Sequence, residues 1–186
     1  MALARELFVK ALWLLSEIEA FFAKPNAPLF LRRSYLRSMK VTYGRALWIG
    51  KGFSLLRPGN LILGERCALG ANIRIENYAP INIGDDFIAA PGLHINSGTH
   101  DPMTLEPQPI PVTIGRRVWC GVDVVILAGV SIGDDVVLAA GSVVNKSIPS
   151  NSIAGGVPAS VVRPLNREPS LRLWTWTTNR NRDLPQ

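Results

Sequence analysis

The clearest pattern along the chain is a six-residue period of apolar positions from Ile114 onward. The stretch divides into IGRRVW, CGVDVV, ILAGVS, IGDDVV, LAAGSV and VNKSIP, and a second, mostly apolar position follows the first by four residues in each hexad. The same register occurs upstream from Leu63, slips by two residues at Ala79–Pro80 and resumes at Ile83. Short strands joined by tight turns explain this period with glycine near most corners, whereas a helix or simple alternation does not.

Hexapeptide repeats of this kind predict a parallel β-helix, in which each strand stacks on the equivalent strand of the next coil. A β-sandwich is the alternative, but it predicts turns about every 8 to 12 residues. We therefore predict an all-β fold, a parallel β-helix over residues 47–163, with a lead-in over 1–46 and a short C-terminal tail over 164–186. The proline-rich segment 101–111 predicts an external loop, because it cannot continue the stack.

The N-terminal segment MALARELFVKALWLLSEIEAFFA has apolar residues at three- to four-residue intervals, which predicts an amphipathic helix. Charged residues interrupt it too often for a bilayer span of about 20 residues or a signal peptide. We expect its apolar face to pack on the domain or on a partner subunit, with peripheral contact with a membrane surface as the alternative.

The chain has 186 residues, which fits one main domain, and a net charge of +6, much of whose basic excess lies outside the repeat. This charge favours a polyanionic partner: a phosphorylated cofactor, an acidic lipid or nucleic acid. No nucleic-acid motif is present, so we expect no nucleic-acid partner. The two cysteines, Cys67 and Cys120, form neither a disulfide framework nor a zinc motif, and we expect a reducing, cytoplasmic compartment.

Three segments carry a resemblance to a known family: NSGTHDP, PVTIGRRVWCGVDVVILAGVSIGDDVVLAAGSVV and NKSIPSNSIAGGVPASVVRPL. They are similar to the left-handed β-helix acyltransferases of the hexapeptide-repeat family, in particular sugar O-acetyltransferases related to galactoside, maltose and colanic-acid acetyltransferases. The resemblance covers most of residues 47–164. It implies a left-handed triangular prism, a homotrimer with active sites at subunit boundaries, and direct transfer of an acetyl group from acetyl-CoA to a hydroxyl or amine without a metal.

The resemblance also implies roles for individual residues. His100 matches the general base, which must take the proton of a poorly nucleophilic alcohol, and histidine side chains titrate near neutral pH. Trp119 matches a tryptophan beside that base, and the backbone N–H near Val122 matches the group that polarises the thioester carbonyl. The positions that match the coenzyme-binding residues are Ala140, Asn145, Lys146 and Arg163.

Two departures bear on the coenzyme: Ser160 stands where many members have Arg or Lys, and Asn145 stands where Thr is common. The acceptor candidates are Asn72, Arg74, Glu76 and Asn96, and a guanidinium from Arg74 would favour a carboxylate or phosphate on the substrate. Asp101 directly after the histidine resembles the exopolysaccharide branch. We therefore expect a small-molecule or lipid-linked sugar acceptor in exopolysaccharide or cell-surface glycan synthesis.

Several alternatives stay open. An aminosugar N-acetyltransferase and an antibiotic O-acetyltransferase use the same scaffold. A γ-type carbonic anhydrase needs three histidines around zinc, whereas this chain has only His94 and His100. A non-catalytic assembly protein is a further alternative. A cysteine nucleophile is disfavoured, because Cys67 and Cys120 fall at inward positions of their hexads.

Overall fold

The protein winds into a left-handed parallel β-solenoid of about six coils. The computed structural model describes residues 29–168, and in them one helix precedes the strands. The helix is α1 (Leu29–Ser38). Side-chain packing places Tyr35, Leu36 and Val41 in the core beneath the first coil, so this end of the solenoid is closed by apolar residues.

Three parallel sheets form the walls of the prism, and each coil contributes one strand to each sheet. Sheet A contains β1 (Thr42–Tyr43), β4 (Leu61–Leu63), β7 (Ile81–Ile83), β12 (Val112–Ile114) and β15 (Ser131–Ile132). Sheet B contains β2 (Leu47–Ile49), β5 (Cys67–Leu69), β8 (Ile88–Ala89), β13 (Trp119–Cys120), β16 (Val136–Leu138), β18 (Ser152–Gly156) and β19 (Ala159–Pro164). Sheet C contains β3 (Ser54–Leu55), β6 (Arg74–Glu76), β9 (His94–Asn96), β14 (Val125–Ile126) and β17 (Val143–Val144).

The hexad prediction is confirmed in the core. The two apolar positions of each hexad point inward, and they stack into a continuous aliphatic column. Burial of this column supplies most of the stabilisation, at about 25 cal/mol for each Å² of apolar surface removed from water. The fully buried members from the second half of the repeat include Val118, Cys120, Val124, Ile126, Val136 and Val144.

The two-residue slip at Ala79–Pro80 is confirmed, and it has a counterpart one coil earlier. Hydrogen-bonded partners on successive coils are 20 residues apart at Glu65 and Asp85 but 18 apart at Arg116 and Asp134. The extra residues lie at the edge between sheets C and A. There the buried Asn77 donates to the Arg57 carbonyl at 2.8 Å and accepts from its N–H at 3.2 Å, which satisfies the backbone of the wider corner.

The predicted loop 101–111 is corrected by the structure. The chain leaves the solenoid at Gly98 and forms an antiparallel hairpin of β10 (Gly98–His100) and β11 (Pro107–Pro109) before it returns to sheet A. His100 therefore lies in the hairpin itself and not at the end of a coil. Prolines interrupt the coil as expected, but they still accept hydrogen bonds through their carbonyls, so a short two-stranded ladder forms.

The predicted boundaries also change. The solenoid begins before residue 47, because Thr42 and Tyr43 already pair in parallel with Ile62 and Leu63. At the other end β19 turns back antiparallel to β18 and closes sheet B. The N-terminal amphipathic helix and most of the tail over 164–186 lie outside the described residues. No helix in the part that the structure describes is long and apolar enough to cross a membrane.

Charged side chains stack along the edge between sheets A and B, which we call the charged edge. Arg66 donates to both oxygens of Asp86 at 2.6 and 2.8 Å, and Arg117 pairs in the same way with Asp135. These four residues have φ between 54° and 57°, so each adopts the left-handed conformation that a tight corner requires. The pairing between neighbouring coils holds arginine in a conformation that it rarely adopts.

Asp135 is the most enclosed carboxylate of the charged edge. Besides Arg117 it contacts Arg167, whose side chain is only 8% exposed and which also donates to the Arg117 carbonyl at 2.6 Å. The Arg117 hydrogen bonds, opposed in part by desolvation, hold the pKa of Asp135 below its usual range. Asp135 therefore fastens the segment after β19 to the body of the solenoid.

We expect Asp135→Asn to lower the free energy of unfolding by about 2 kcal/mol, because two enclosed guanidinium groups lose their charged acceptor. Urea denaturation at pH 7 measures the change. A depressed folded pKa stabilises the protein above the unfolded value of about 4, and this contribution disappears as the pH falls through the folded value. The difference in the free energy of unfolding between wild type and Asp135→Asn should therefore become smaller in acid.

The matched control is Glu106→Gln, which removes one negative charge from an exposed position in the hairpin loop. Equal urea midpoints for wild type and Asp135→Asn at pH 7 would contradict the role assigned to Asp135.

Candidate active site

The hairpin presents His100 to solvent. His100 pairs through the backbone with Pro107, and its imidazole has no hydrogen-bond partner among the described residues. Ile110 extends the base of the hairpin: its N–H donates to the Ser97 carbonyl at 2.8 Å, and its side chain lies over Gly129 of the next coil. The ring is thus free to act on a molecule outside its own chain, while the hairpin that carries it is anchored at its base.

Asp101 shapes the tip of the hairpin. One carboxylate oxygen accepts from the Met103 and Thr104 N–H groups at 2.8 and 3.0 Å, and the other accepts from the Gln108 side chain at 3.2 Å. The backbone hydrogen bonds hold the pKa of Asp101 below its usual range. The residue next to His100 therefore folds the loop, and its charge is already occupied by three donors.

The root of the hairpin, at Gly98, lies close to the ring of Tyr78. A Cβ added at Gly98 would lie 2.5 Å from Cδ2 and 2.8 Å from Cγ of the Tyr78 ring. Gly98 also donates its N–H to the Asn96 side chain at 2.7 Å. Only glycine leaves room for the aromatic ring at this point, so Tyr78, Asn96 and Gly98 together set the direction in which the hairpin leaves the solenoid.

The edge between sheets C and A collects one group of candidate residues. We call it the hairpin edge, and it carries Arg57, Tyr78 and the hairpin itself on successive coils, and Asn145 and Lys146 two coils beyond the hairpin. Asn145 and Lys146 follow β17 directly and are exposed. The structure therefore brings two predicted coenzyme residues to the same edge as His100.

The edge between sheets B and C collects a second group, and we call it the amide edge. Gly141 donates to the Val122 carbonyl at 2.8 Å, which places the turns of Val122 and Ala140 one above the other. The N–H groups of Val122 and Ala140 have no acceptor among residues 29–168. Asn72 occupies the same edge with φ 56°, and its carboxamide oxygen fills the space beside Gly52.

Trp119 lies on the outer face of sheet B and is 48% exposed. It stacks in register with Ile88 on one side and Val137 on the other. In a triangular prism the hairpin edge is the corner opposite sheet B, so His100 and Trp119 of one chain are on opposite sides of the solenoid. Within a single chain these two side chains are therefore apart.

Sheet C carries three of the four predicted acceptor residues, Arg74, Glu76 and Asn96. Arg74 donates to Glu76, and the other oxygen of Glu76 lies 3.3 Å from His94 Nε2. His94 Nε2 is buried and makes no hydrogen bond of good geometry. The charge of Arg74 is therefore already balanced by a carboxylate. Asn96, which bonds Gly98, is the member of the predicted acceptor set that contacts the hairpin directly.

The remaining predicted coenzyme residue, Arg163, lies on β19 opposite Ile153 and is exposed. Ser160 is on the same strand near the turn of the β18–β19 hairpin, paired with Gly155. The structure thus places this basic group on sheet B, with Trp119 and away from the hairpin edge.

The two thiols are enclosed. Burial raises the pKa of the Cys67 thiol to about 11 and raises the pKa of Cys120 as well. Both sulfurs are therefore protonated near neutral pH, which disfavours a cysteine nucleophile. Within the described residues, no group of three His, Cys, Asp or Glu side chains is placed to hold a metal ion.

Two participants were missed in the sequence, namely Tyr78 and Gly98. Tyr78 lies directly before the slip in the hexad register, and Gly98 lies one coil later. The NSG sequence before His100 was visible, but the close approach of Gly98 to an aromatic ring 20 residues earlier depends on how the widened corners stack. The sign available in the sequence was the slip in the hexad register, because an irregular corner one coil before a histidine indicates that the regular repeat changes there.

Comparison with known proteins gives consistent results. A family described as "Hexapeptide repeat of succinyl-transferase" matches residues 111–146. The galactoside O-acetyltransferase of Escherichia coli K12 is 34% identical over 140 residues, 73% of this chain and 69% of that protein. An E. coli K12 protein named for acetyl transfer in colanic acid biosynthesis is 29% identical over 82% of this chain and 85% of its own length. A solved galactoside acetyltransferase in complex with coenzyme A superposes with TM-score 0.73 and 31% identity, covering 80% of this chain and 77% of that one.

We expect Gly98→Ala to loosen the hairpin, because the added methyl group cannot coexist with the Tyr78 ring at 2.5 Å. Hydrogen exchange should become about tenfold faster at the Asp101 and Ile110 amides, while the amides of the coils keep their protection. Thr99→Ala is the control, since Thr99 points to the other side of β10. Unchanged hairpin protection in Gly98→Ala would refute the proposed contact.

Proposed function

The chain belongs to the hexapeptide-repeat acetyltransferases, and on that premise we propose that it transfers an acetyl group to a hydroxyl of a sugar in the synthesis of an exopolysaccharide or another cell-surface glycan. Acetyl-CoA is the acyl donor. The observation that carries the proposal is the His100 imidazole, exposed on an anchored hairpin and without a partner in its own chain.

In the proposed reaction an unprotonated ring nitrogen of His100 takes the proton of the acceptor hydroxyl. The oxygen then forms a bond to the thioester carbonyl carbon, the carbon–sulfur bond breaks, and the imidazolium returns its proton to the leaving thiolate. An alcohol alone is a poor nucleophile at neutral pH, and a positioned base typically accelerates such a step by about 10² to 10⁴. No covalent acyl-enzyme is required, in agreement with the buried thiols.

The amide edge suits the donor. The free N–H groups of Val122 and Ala140 could bind a carbonyl oxygen and the amides of a pantetheine chain, and a backbone donor needs no particular side chain. Lys146 and Arg163 are exposed cations for the phosphates, and they compensate in charge for Ser160. Asn145 beside Lys146 completes the proposed coenzyme set.

We propose that the site is completed by a second subunit. His100 projects from one corner of the prism, whereas Trp119 lies on the opposite wall and Val122 lies where that wall meets sheet C. A single chain therefore keeps the proposed base apart from the groups proposed to bind the thioester. The outward column of sheet B is apolar in every coil, unlike the corresponding column of sheet C, which includes Arg74 and His94. A head-to-tail contact between this wall and the hairpin edge of a neighbour closes as a ring of three. The column contains Trp48, Ala68, Ile88, Trp119, Val137 and Ile153.

The acceptor is a free or lipid-linked sugar in this proposal, bound near Asn96, Arg74 and Glu76 on the sheet C side of the hairpin. Asn72 would reach the same site from the amide edge of the neighbour. Two reduced thiols fit a cytoplasmic enzyme, where acetyl-CoA is the donor. An aminosugar amine or an antibiotic hydroxyl in place of the sugar hydroxyl would use the same base and the same donor groups.

We expect His100→Ala to lower the turnover number by about 100-fold or more, because the acceptor hydroxyl loses its base. The measurement is release of coenzyme A across a panel of free, nucleotide-linked and lipid-linked sugars. Binding of acetyl-CoA, followed by calorimetry, and the oligomeric state, followed by sedimentation, should stay as in wild type. Met103→Ala at the exposed loop tip is the control, and an unchanged rate in His100→Ala would overturn the assignment.

Mixed assembly tests the subunit boundary. We expect Trp119→Ala to lower acetyl transfer. Co-assembly of Trp119→Ala with His100→Ala in equal amounts should restore acetyl transfer to about a quarter of the wild-type level. The reason is that random trimers place native His100 opposite native Trp119 at that fraction of boundaries. Each variant assembled alone is the baseline. Activity that stays at the baseline would place both residues in one chain's site and contradict the shared boundary.

A further inference from the structure

Arg57 differs from most of the described arginines in its surroundings. Arg45, Arg66, Arg74, Arg116, Arg117 and Arg167 each contact a carboxylate within 4 Å. Arg57 is exposed and has no carboxylate partner among the described residues; its guanidinium lies 4.8 Å from the centre of the Tyr78 ring. The aromatic ring thus holds a cation whose charge is not balanced by a neighbouring acid.

Tyr78 is fixed from two sides. Arg57 covers the ring from the coil below, and at the hairpin root above, a Cβ added at Gly98 would lie within 2.8 Å of Cγ and Cδ2. The Tyr78 hydroxyl has no hydrogen-bond partner within residues 29–168, and the residue is 41% exposed. Arg57 and the Tyr78 hydroxyl are therefore held in place while their polar groups stay open to solvent.

The hairpin directs His100 toward the same place. Side chains alternate along a strand, so His100 projects from the side of β10 on which Gly98 faces Tyr78. The two positions are two residue steps apart along the strand, which is about 7 Å. A molecule whose hydroxyl reaches His100 would place its next few atoms over the Tyr78 hydroxyl and the Arg57 guanidinium.

We propose that Arg57, held by Tyr78, binds an oxyanion on the acceptor, so that the preferred substrate is a sugar carrying a carboxylate or a phosphate. This inference rests on the proposed function for the role of His100. A guanidinium offers two parallel N–H donors that match either group. Arg57 takes the role that the sequence suggested for Arg74, because Arg74 is already paired with Glu76.

The test compares three probes on the full-length protein: glucose, glucuronic acid and glucose 1-phosphate. Binding is measured by calorimetry in the presence of coenzyme A, and acetyl transfer is measured by thiol release from acetyl-CoA. We expect at least one charged probe to bind about tenfold more tightly than glucose, since charge-assisted hydrogen bonds are about twice as strong as neutral ones. The two charged probes distinguish a carboxylate site from a phosphate site.

Arg57→Met keeps a flexible side chain over Tyr78 but removes the charge, and it should reduce the preference for charged probes about tenfold while glucose changes less than twofold. Tyr78→Ala should have the same effect, and Tyr78→Phe should retain most of the preference because the ring still holds Arg57. The matched control is Arg45→Gln, which removes one charge at a side chain that is 94% exposed on the charged edge.

The outcomes separate the two proposals. Equal binding of all three probes to wild type, or an unchanged preference in Arg57→Met, overturns the oxyanion site even when acetyl transfer occurs. Failure of the protein to bind or use acetyl-CoA overturns the proposed function, whereas the binding of charged probes still reports on Arg57. Loss of preference in Arg45→Gln would show that net charge alone produced the effect, and this result also counts against the site.

Discussion

The register in which one coil stacks on the next is the constraint on which the rest of the structure depends. Backbone N–H groups of each coil donate to carbonyls of its neighbour, as from Ala68 to Phe87 and from Ala90 to Cys120, and the inward side chains follow the same steps. A shift by one residue would expose the aliphatic column and bury the outward side chains, which on sheet C include Arg74 and His94. The core therefore fixes the position of each coil along the prism axis. Side chains 18 or 20 residues apart in the sequence become neighbours on successive coils.

This register gives the three edges different chemistry. At the charged edge, Arg66 with Asp86 and Arg117 with Asp135 connect neighbouring coils, so the charges there are used for stability. At the amide edge the turns leave N–H groups free, which is the arrangement that binds carbonyl oxygens. At the hairpin edge, the first two coils have two extra residues in the corner, and the third coil leaves the solenoid there as the hairpin. The same repeat thus provides stabilising ion pairs, free N–H donors and an exposed histidine at separate corners.

The repeat and the core could be predicted from the sequence because inward positions recur locally every six residues, and Ile126, Val136 and Cys120 are all buried as expected. The hairpin that carries His100 was predicted only as a loop, since the pairing of Gly98 with Pro109 depends on contacts at its base that no local pattern encodes. The hydrogen-bonded corner of Asn77 shows the same limit: its partners at Arg57 become neighbours only after the coils have stacked. The pairing of Arg74 with Glu76 was likewise not predicted, although it decides which cation is left for a substrate.

The opposite placement of His100 and Trp119 has a consequence for how such an enzyme can be built. A rigid solenoid cannot bend its corner toward the facing wall, because the close-packed core between them does not deform. In the reaction proposed above, His100 as the base can therefore meet the groups that match the thioester site only across a boundary between chains. In the proposed arrangement the acceptor approaches from the hairpin edge of one subunit, and the thioester end of the coenzyme lies at the wall and amide edge of the next. Residues near the hairpin root, such as Tyr78 and Arg57, can then change acceptor preference without contacting Trp119, Val122 or Ala140, since those groups belong to the other subunit at each site.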